Sequence, residues 1–300
     1  MVRLLHIGLT VGKNKWLSKE LRKRTNYQEI RPSESDILIR ALFDFHAPDC
    51  VFMQIQQANM INLGLIEYMS KRSVLINWSG DVREPLPEWY FDFDNYCISC
   101  FSNMRDVNLI KGEYLQIGID HEIYYPKDLS NYRSDIVFMG NRSNGFPLSQ
   151  YRLDTIEFLR KRYDLKVFGG WPGANANLMN SPDEEANYYR TSKIALSISH
   201  FDISRYFSDR LIRAMGSGCF TISHHYKDIE IDFEVGKHLE TFKTYEELTE
   251  KIDYYLQNPK ERNKIASAGC NHVHEKFTTK NMVNDILRIY EKNKSLAKLV

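Results

Sequence analysis

The stretch Tyr206–Ser223, YFSDRLIRAMGSGCFTIS, combines two arginines with the signals of a short helix. Ser208 or Asp209 can cap the start of that helix. Arg210 then lies in the first turn, and Arg213, three residues later, lies on nearly the same face. A helix start offers unpaired N–H groups and a partial positive charge, so arginines beside it are typical of a diphosphate-binding site. An ordinary helix with solvated arginines fits the same spacing equally well.

Glycines punctuate the second half of the chain where backbone can approach a ligand. Gly140–Gly145 (GNRSNG) separates a strand from a helix, so its backbone can approach a phosphate or a sugar, although an ordinary connection has the same pattern. Gly169–Gly173 (GGWPG) ends the next strand, where ligands of open α/β sheets bind. Gly216 and Gly218, on either side of Ser217, let the chain turn closely into the strand that follows.

Two loops of the first half carry polar residues at the ends of predicted strands. Gly8–Lys13 (GLTVGK) has a faint likeness to an ATP-binding P-loop, but it is one residue short and lacks a Ser or Thr after the lysine, which argues against ATP. Asn77–Pro85 (NWSGDVREP) places Asp81 and Arg83 at the carboxyl end of a strand. Asp81 can orient or deprotonate a hydroxyl group, or it is simply a loop carboxylate paired with Arg83.

No motif predicts a metal site. Asp92–Asp94 (DFD) mimics the Asp-x-Asp of metal-dependent enzymes, but its aromatic, acidic loop indicates solvated charge. Cys97 and Cys100 have no partner pair for zinc, and strand alternation predicts core positions on opposite faces. Three histidines follow strands of the second half without ligand spacing, and His200 is the best placed of them to touch phosphate: His200, His224 and His225.

Positive charge is concentrated near the N-terminus, where only Glu20 opposes it and Trp16 lies nearby. A solvated helix face is the default interpretation. A polyanion-binding surface is the alternative, because lysines and arginines dominate binding to phosphate polymers. The cations of this cluster are Lys13, Lys15, Lys19, Arg22, Lys23 and Arg24.

Composition is that of an ordinary globular protein. The 300 residues, 43% hydrophobic and 26% charged, are enough for two domains. The net charge of +1 implies no overall field toward nucleic acid or membrane, and five irregularly spaced cysteines favour reduced thiols. No apolar run approaches the roughly 20 residues that span a bilayer, and the N-terminus lacks a signal-peptide pattern. We therefore expect a cytoplasmic protein with no membrane span.

Short apolar runs alternate with helical signals, which is the pattern of parallel sheets covered on both faces. Tyr124–Ser134 breaks the rhythm with a proline and polar residues, so it is the expected linker. Thr244 and Glu247 form a capping box before an amphipathic helix. Predicted strands are 2–7, 50–55, 74–78, 96–101, 114–118, 135–140, 165–170, 193–199 and 219–223, and predicted helices include 36–45, 60–69, 149–162 and 183–190.

The segments 209–223 (DRLIRAMGSGCFTIS) and 236–278 (GKHLETFKTYEELTEKIDYYLQNPKERNKIASAGCNHVHEKFT) resemble the C-terminal half of GT-B glycosyltransferases. The likeness is greatest to the family-4-like group of spore maturation (CgeB-like) glycosyltransferases, which has phage and bacterial members. It covers nearly the whole chain and is most specific over 206–277. Earlier segments that fit are PDCVFMQIQ (48–56), INWSGDVR (76–83), LQIGID (115–120) and FMGNRSNGFPLSQYR (138–152).

This resemblance implies an α/β GT-B fold, with two Rossmann-like domains whose parallel sheets face a central cleft. Residues 1–125 would bind the acceptor and 133–278 the nucleotide-sugar donor, while the last helix, about 279–300, would pack back on the first domain. The implied reaction moves a hexose from a nucleotide diphosphate sugar, which we expect to be a UDP-sugar, to a hydroxyl, with retention and without metal or other cofactor. A polyanionic acceptor such as hydroxymethylated DNA or a cell-surface polysaccharide would suit the basic cluster.

The resemblance also assigns roles to residues. Arg210 would neutralise charge on the departing diphosphate, Asp81 would act on the acceptor, and Asp209 would contact a hydroxyl group. Residues expected to bind the donor are Gly140, Asn141, Arg142, Gly169, Gly170, His200, Tyr206, Ser208, Arg213, Gly216 and Ser217. Residues expected to bind the acceptor are Gly8, Thr10, Lys13 and Arg83.

One departure from the family pattern keeps a second hypothesis open. Many relatives carry two glutamates separated by seven residues, and Arg205 and Arg213 stand at those places here. A catalytically silent sugar-nucleotide or polymer-binding protein on the same scaffold is therefore the alternative. A dinucleotide oxidoreductase is disfavoured, because the first strand lacks Gly-x-Gly-x-x-Gly.

Overall fold

The computed structural model describes residues 1–12, 15–127, 131–175 and 181–295. The chain divides into two compact units, one formed by Met1–Ile117 with Thr279–Val300 and the other by Gly118–Thr278. Each unit contains its own parallel sheet, so the predicted α/β class is confirmed. None of the helices within those ranges combines the length and the apolar character that a bilayer span requires.

The first unit is built on a sheet in the order β2-β1-β3-β4-β5-β6. Helices cover both faces: Leu4 packs with Leu17 on one side, while the next residue, Leu5, packs with Ile39 on the other. The elements are β1 Arg3–Ile7, α1 Trp16–Arg24, β2 Asn26–Ile30, α2 Asp36–His46, β3 Cys50–Met53, α3 Leu63–Ser70, β4 Val74–Ser79, α4 Trp89–Asp94, β5 Ile98–Phe101, α5 Met104–Ile110 and β6 Glu113–Tyr114.

The second unit is built on a sheet in the order β11-β10-β9-β7-β8. Its elements are β7 Ser134–Met139, α6 Ser149–Arg160, β8 Leu165–Phe168, α7 Pro182–Arg190, β9 Ser192–Ser197, α8 Asp209–Gly216, β10 Phe220–His224, α9 Ile229–Asp232, β11 Glu240–Phe242, α10 Tyr245–Gln257 and α11 Pro259–Lys276. A last helix, α12 Thr279–Asn293, belongs to the first unit and packs on the α1 side of its sheet through Met282, Val283, Ile286 and Ile289.

Some sequence predictions of elements are wrong for identifiable reasons. The strand expected at 114–118 ends after Tyr114, because side chains bind the backbone groups that would continue it. The indole N–H of Trp78 donates to the Leu115 carbonyl at 2.8 Å, and the Ile117 N–H donates to the side-chain oxygen of Gln116 at 2.8 Å. Asp92–Asp94 belongs to α4 and not to a loop, although Asp92 and Asp94 are exposed as expected. Cys97 and Cys100 are buried in different clusters, as the alternation predicted.

A buried polar network lies at the carboxyl end of β1. The imidazole of His6 is fully buried and shares hydrogen bonds with the Tyr27 hydroxyl at 2.9 Å and with Gln54 Oε1 at 3.1 Å. Thr10 donates its N–H and its hydroxyl to the same Gln54 oxygen, at 3.1 and 2.7 Å. Burial lowers the pKa of His6 to about 4.

His6 should make the first unit sensitive to acid. Its pKa is lower in the folded than in the unfolded chain, so the unfolded state binds the proton more readily and stability falls as pH drops from about 6.5 toward 4. Between pH 7 and 5 we expect a loss of about 2 kcal/mol that His6→Gln removes and the control His46→Gln retains. Urea unfolding followed by tryptophan fluorescence measures it, since Trp16, Trp78 and Trp89 all belong to this unit. Identical pH dependence in wild type and His6→Gln would contradict the expectation.

Candidate functional site

The order of the second sheet predicts where a ligand binds in that unit. From β7 the chain moves outward to β8, then crosses to β9 on the other side of β7 and continues to β10 and β11. Open α/β sheets bind ligands beyond the carboxyl ends of their strands at such a reversal. The segments that leave β7 and β9 there contain Gly140 and His200.

The two predicted glycine turns of this unit touch each other at this edge. Gly140 donates its N–H to the Phe168 carbonyl at 3.0 Å, and its own carbonyl accepts the indole N–H of Trp171 at 2.5 Å. Gly169 has a φ of +127°, and a Cβ there would lie 2.1 Å from the Gly140 oxygen. Only glycine fits Gly169, so the pair of turns forms one tightly packed wall.

Arg152, the fourth residue of α6, lies against that wall and is only 1% exposed. Its Nη1 donates to the Asn141 carbonyl at 3.2 Å and also contacts the imidazole of His200. Its guanidinium stacks over Phe138 and Trp171, with centroid distances of 5.4 and 5.6 Å. A Cβ at Gly140 would lie 2.7 Å from Nη2, so that glycine makes room for the guanidinium. The side chain is therefore fixed in one position.

The charge of Arg152 has no counter-ion among the described residues. No described carboxylate forms an ion pair with it, and its buried Nε has no hydrogen-bond partner there. Burial, reinforced by repulsion from Arg210, lowers the pKa of Arg152 to about 9, so it is protonated at neutral pH. A buried cation without a partner is costly, which indicates that an anion completes this site.

His200 joins Arg152 and Arg210 as a neutral group. Burial and repulsion from both arginines lower the pKa of His200 to about 3, so at neutral pH a ring nitrogen can accept a hydrogen bond from Arg152. Its ring also packs against Phe146 with centroids 4.6 Å apart. His200 therefore orients Arg152 without adding charge.

The start of α8 brings the second cation. The Ser208 hydroxyl accepts the Arg210 N–H at 3.2 Å and caps the helix as predicted, and the side chain of Arg210 remains 30% exposed. The positive charge of Arg210 helps to lower the pKa of both Arg152 and His200, so all three groups lie within range of one electrostatic field. The N-terminal dipole of α8 adds positive potential at the same place.

Arg213 faces a different partner set from the one expected. It pairs with Asp209 at 2.7 Å and with Glu185 of α7 at 3.2 Å, and the Tyr124 hydroxyl donates to the same Glu185 oxygen at 2.8 Å. Burial raises the pKa of Asp209, but Arg213 and Arg210 outweigh that effect and lower it, so the carboxylate stays ionised. This network links α8 to α7 and neutralises the charge of Arg213.

Arg205 is likewise engaged, since its Nε and Nη2 bind both oxygens of Asp232 at 3.0 and 2.6 Å. It lies in the left-handed region, with a φ of +55°. Of the arginines around α8, Arg210 has the loosest carboxylate contact, 3.8 Å to Asp209. The balance of charge thus leaves Arg152 and Arg210 to attract an anion.

Of the other residues expected to bind the donor, some lie near Arg152 and others lie away from it. Asn141 belongs to the Arg152 contact, Arg142 has a buried Nε without a partner among the described residues, and Tyr206 is half-buried and packs on Phe201. Gly170 is exposed with open space around it. The structure places Gly216 and Ser217 at the opposite end of α8, about 12 Å from its start.

Arg152 is the residue that sequence reasoning missed. It shares the buried face of α6 with Thr155, Ile156 and Leu159, which follow it at spacings of three, four and seven. An arginine among the apolar positions of a helix was the sequence signal that could have identified it. Glu185, which neutralises Arg213, could not be identified from the sequence, because the two residues are 28 positions apart.

Two of the residues expected to bind the acceptor, Gly8 and Thr10, lie at the carboxyl end of β1. Gly8 and Thr10 follow β1 beside β3, where this sheet also reverses its order, and a Cβ at Gly8 would lie 2.3 Å from atoms of His6 and Gln54. Lys13 lies outside the described residues.

Asp81 and Arg83 form a weak, exposed pair. The Asp81 side chain is 66% exposed and lies 3.6 Å from Arg83, so both the plain-pair interpretation and a role toward a hydroxyl remain compatible with its position.

The basic cluster of α1 is partly neutralised. Arg22 pairs with Glu29, and Lys23 lies 3.5 Å from Glu20. This favours the solvated helix face over a continuous cationic surface. Within the described parts of the chain, no three His, Cys, Asp or Glu residues are arranged to hold a metal ion.

Solved structures similar to this chain share its fold. HepE of Anabaena, solved with UDP-glucose, superposes with a TM-score of 0.66 at 11% identity, covering 96% of this chain and 99% of that one. Sucrose-phosphate synthase of Thermosynechococcus elongatus gives 0.68 at 10% identity, covering 98% and 100%. A glycosyltransferase of Rickettsia africae gives 0.65 at 13%, covering 96% and 97%. The chain has the GT-B fold.

The sequence comparison matches a smaller part of the chain than the structural comparison does. The family model described as glycosyl transferase-like matches residues 152–288, which begin at Arg152 and include all of α8. No curated protein is similar enough in sequence to count as a relative. The predicted GT-B fold is therefore confirmed, whereas the narrower likeness to the spore maturation group stays a prediction.

Proposed function

We propose that this protein is a glycosyltransferase that moves a hexose from a nucleotide diphosphate sugar, preferentially a UDP-sugar, to an acceptor hydroxyl. The observation that carries the proposal is the buried Arg152, which has no carboxylate partner among the described residues and lies with Arg210 at the carboxyl edge of the second sheet. A diphosphate supplies the missing negative charge. The UDP-glucose complex of the similarly folded HepE supports this choice of donor.

The proposed mechanism divides the work between two arginines. Arg152 binds the diphosphate in the ground state, because it is buried, rigid and oriented by His200 and the Asn141 carbonyl. Arg210, more exposed and aided by the α8 dipole, stabilises the charge that develops on the departing diphosphate. Arg142, Tyr206, Ser208 and the backbone at Gly140 and Gly169 complete the donor side. This assigns charge neutralisation to arginines, and we propose that neither a metal nor another cofactor takes part.

The acceptor side of the proposal rests on the first unit. Asp81 accepts or orients the proton of the acceptor hydroxyl, and Gly8, Thr10 and Arg83 line that side, while Lys13 stays a prediction from the sequence. The family resemblance, and not the partly neutralised cations of α1, suggests a polyanionic acceptor, and it also favours retention of configuration. A silent binding protein is the second candidate, supported by Arg205 and Arg213 at the positions where many relatives carry glutamates.

A thermal-shift series with UDP, GDP, ADP and dTDP and their glucose conjugates tests the donor. We expect UDP and UDP-glucose at millimolar levels to raise the melting temperature most, because a ligand of the folded state stabilises it by about 2.7 kcal/mol at one hundred times its Kd. Release of UDP from UDP-glucose without acceptor then separates the enzyme from the silent protein. If none of the nucleotides shifts the melting temperature, the proposal is wrong; if they bind without any turnover, the second candidate is right.

A further inference from the structure

A separate pocket of the second unit lies at the other edge of its sheet. It has a volume of about 330 Å³ and is lined by the first residues of β9 and β10, Ser192 and Phe220, together with the end of α8 and one face of α11. Because these strands are parallel, their starts form the amino edge, whereas Arg152 lies at the carboxyl edge. The length of α8 separates the two places, so this pocket is distinct from the proposed donor site.

Ser217 is the residue that links this pocket to the glycine-rich end of α8. It lines the pocket and is only 2% exposed, yet its hydroxyl oxygen has no hydrogen-bond partner among the described residues. Buried hydroxyl groups are normally satisfied, because an unpaired one loses its bonds to water without compensation. The Ser217 hydroxyl therefore indicates a partner that the described residues do not supply.

One face of α11 adds exposed polar groups to the same wall. Asn263, Ser267 and Asn271 follow each other at four-residue intervals, so they project from one side of the helix. All three are exposed. Two carboxamides and a hydroxyl on one line provide both donors and acceptors, the combination that recognises the hydroxyl groups of a sugar ring.

The opposite wall carries positive charge. Lys193 is balanced by Asp135 at 2.7 Å. Arg190 donates to the Tyr125 carbonyl at 2.8 Å and to Asn187 Oδ1 at 2.9 Å, and no described carboxylate forms a salt bridge with it. Burial lowers the pKa of Arg190. One positive charge of this wall is thus left over, which favours a ligand with an anionic group.

We propose that this pocket binds a small anionic saccharide, with its hydroxyl groups on Asn263, Ser267, Asn271 and Ser217 and its carboxylate or phosphate beside Arg190 and Lys193. The volume lies at the lower end of the range for small-molecule pockets, about 300–1,000 Å³, and so suits one or two sugar rings. The ligand is either a free sugar acid or sugar phosphate, or the same unit within a longer polymer. Binding here requires nothing of the donor site.

Calorimetric titration with glucuronate, glucose 6-phosphate, glucose and inorganic phosphate tests the assignment. The blocking variant is Ser267→Trp, which fills the pocket from α11, and the matched control is Lys264→Trp, on the same helix, exposed and outside the pocket. Lys193→Gln is a second variant that adds no bulk. We expect the two anionic sugars to bind wild type, the Lys264→Trp control and Arg152→Met alike, and to bind Ser267→Trp and Lys193→Gln at least about tenfold more weakly, which is 1.4 kcal/mol.

Results of four kinds would contradict the proposal. If neither anionic sugar binds at millimolar levels, or if Ser267→Trp binds them like wild type while remaining folded, the pocket is not their site. If glucose or phosphate alone binds as tightly, the anionic saccharide is the wrong class. Loss of binding in Arg152→Met would place the sugars at the donor site instead.

A polymer of glucuronate that binds much more tightly than the monomer would identify the polymer as the source, and equal affinity per unit would identify the free sugar.

Discussion

Arg152→Met is expected to weaken UDP binding at least about thirtyfold, while the unliganded protein stays as stable as wild type or becomes more stable. A buried arginine that serves only the fold would show the reverse. Arg152 has no carboxylate partner among the described residues, so only the Asn141 carbonyl, the neutral His200 and two aromatic rings offset the burial of its charge. Methionine keeps much of the apolar volume between Phe138 and Trp171 and removes the desolvation cost.

Two measurements separate binding from stability for this variant. Titration calorimetry with UDP gives the affinity, and urea unfolding followed by circular dichroism gives the free energy of unfolding. The matched control is Arg162→Met, an exposed arginine just beyond the end of α6 that stacks on Phe158. Unchanged UDP affinity in Arg152→Met, or a loss of about 3–5 kcal/mol of stability in the absence of ligand, would show that Arg152 is structural.

Arg210→Ala is expected to lower kcat about a hundredfold to a thousandfold, about 2.7–4 kcal/mol of transition-state stabilisation, while the UDP affinity changes much less. The difference from Arg152 follows from position. Arg210 lies at the half-buried start of α8 and its side chain has only a long contact with Asp209, so its guanidinium can approach the diphosphate as charge develops there. Steady-state rates of UDP release from UDP-glucose measure the effect.

Arg210→Lys tests the geometry of that stabilisation. Lysine keeps the charge but not the planar fork, so it should recover only part of the lost rate. Arg288→Ala, on a surface pair with Asp285, serves as a control for general damage. A fall in kcat for Arg288→Ala equal to that for Arg210→Ala, or full activity of Arg210→Ala, would contradict the role assigned to Arg210.

Local patterns predicted the parts of the site that depend on neighbouring residues. Ser208 caps α8 and places Arg210 in the first turn because capping is decided within three residues of chain. The turns at Gly140 and Gly169 end buried strands as expected, although their contact with each other could not be read from either sequence alone. The match of residues 152–288 to a glycosyl transferase-like family agrees with the resemblance drawn from the same region.

What sequence reasoning missed depends on partners distant along the chain. Arg213 shares a face with Arg210, but it pairs with Asp209 and with the distant Glu185 of α7, so spacing alone overstated its availability. Arg152 is far from α8 in sequence, and only the fold brings it beside His200. Gly216 and Ser217, expected at the donor, lie at the other end of α8 from Arg210, because Gly216 is the last residue of this eight-residue helix and Ser217 follows it. The edge strands β2 and β11 carry too few apolar residues to stand out.

A crystal structure of the complex with UDP tests the central claim most directly. The account predicts that oxygens of the diphosphate lie within hydrogen-bonding distance of the guanidinium groups of both Arg152 and Arg210. One of these oxygens should accept a hydrogen bond from the Nε of Arg152. A diphosphate bound elsewhere on the protein, with Arg152 still buried and unpaired, would contradict it.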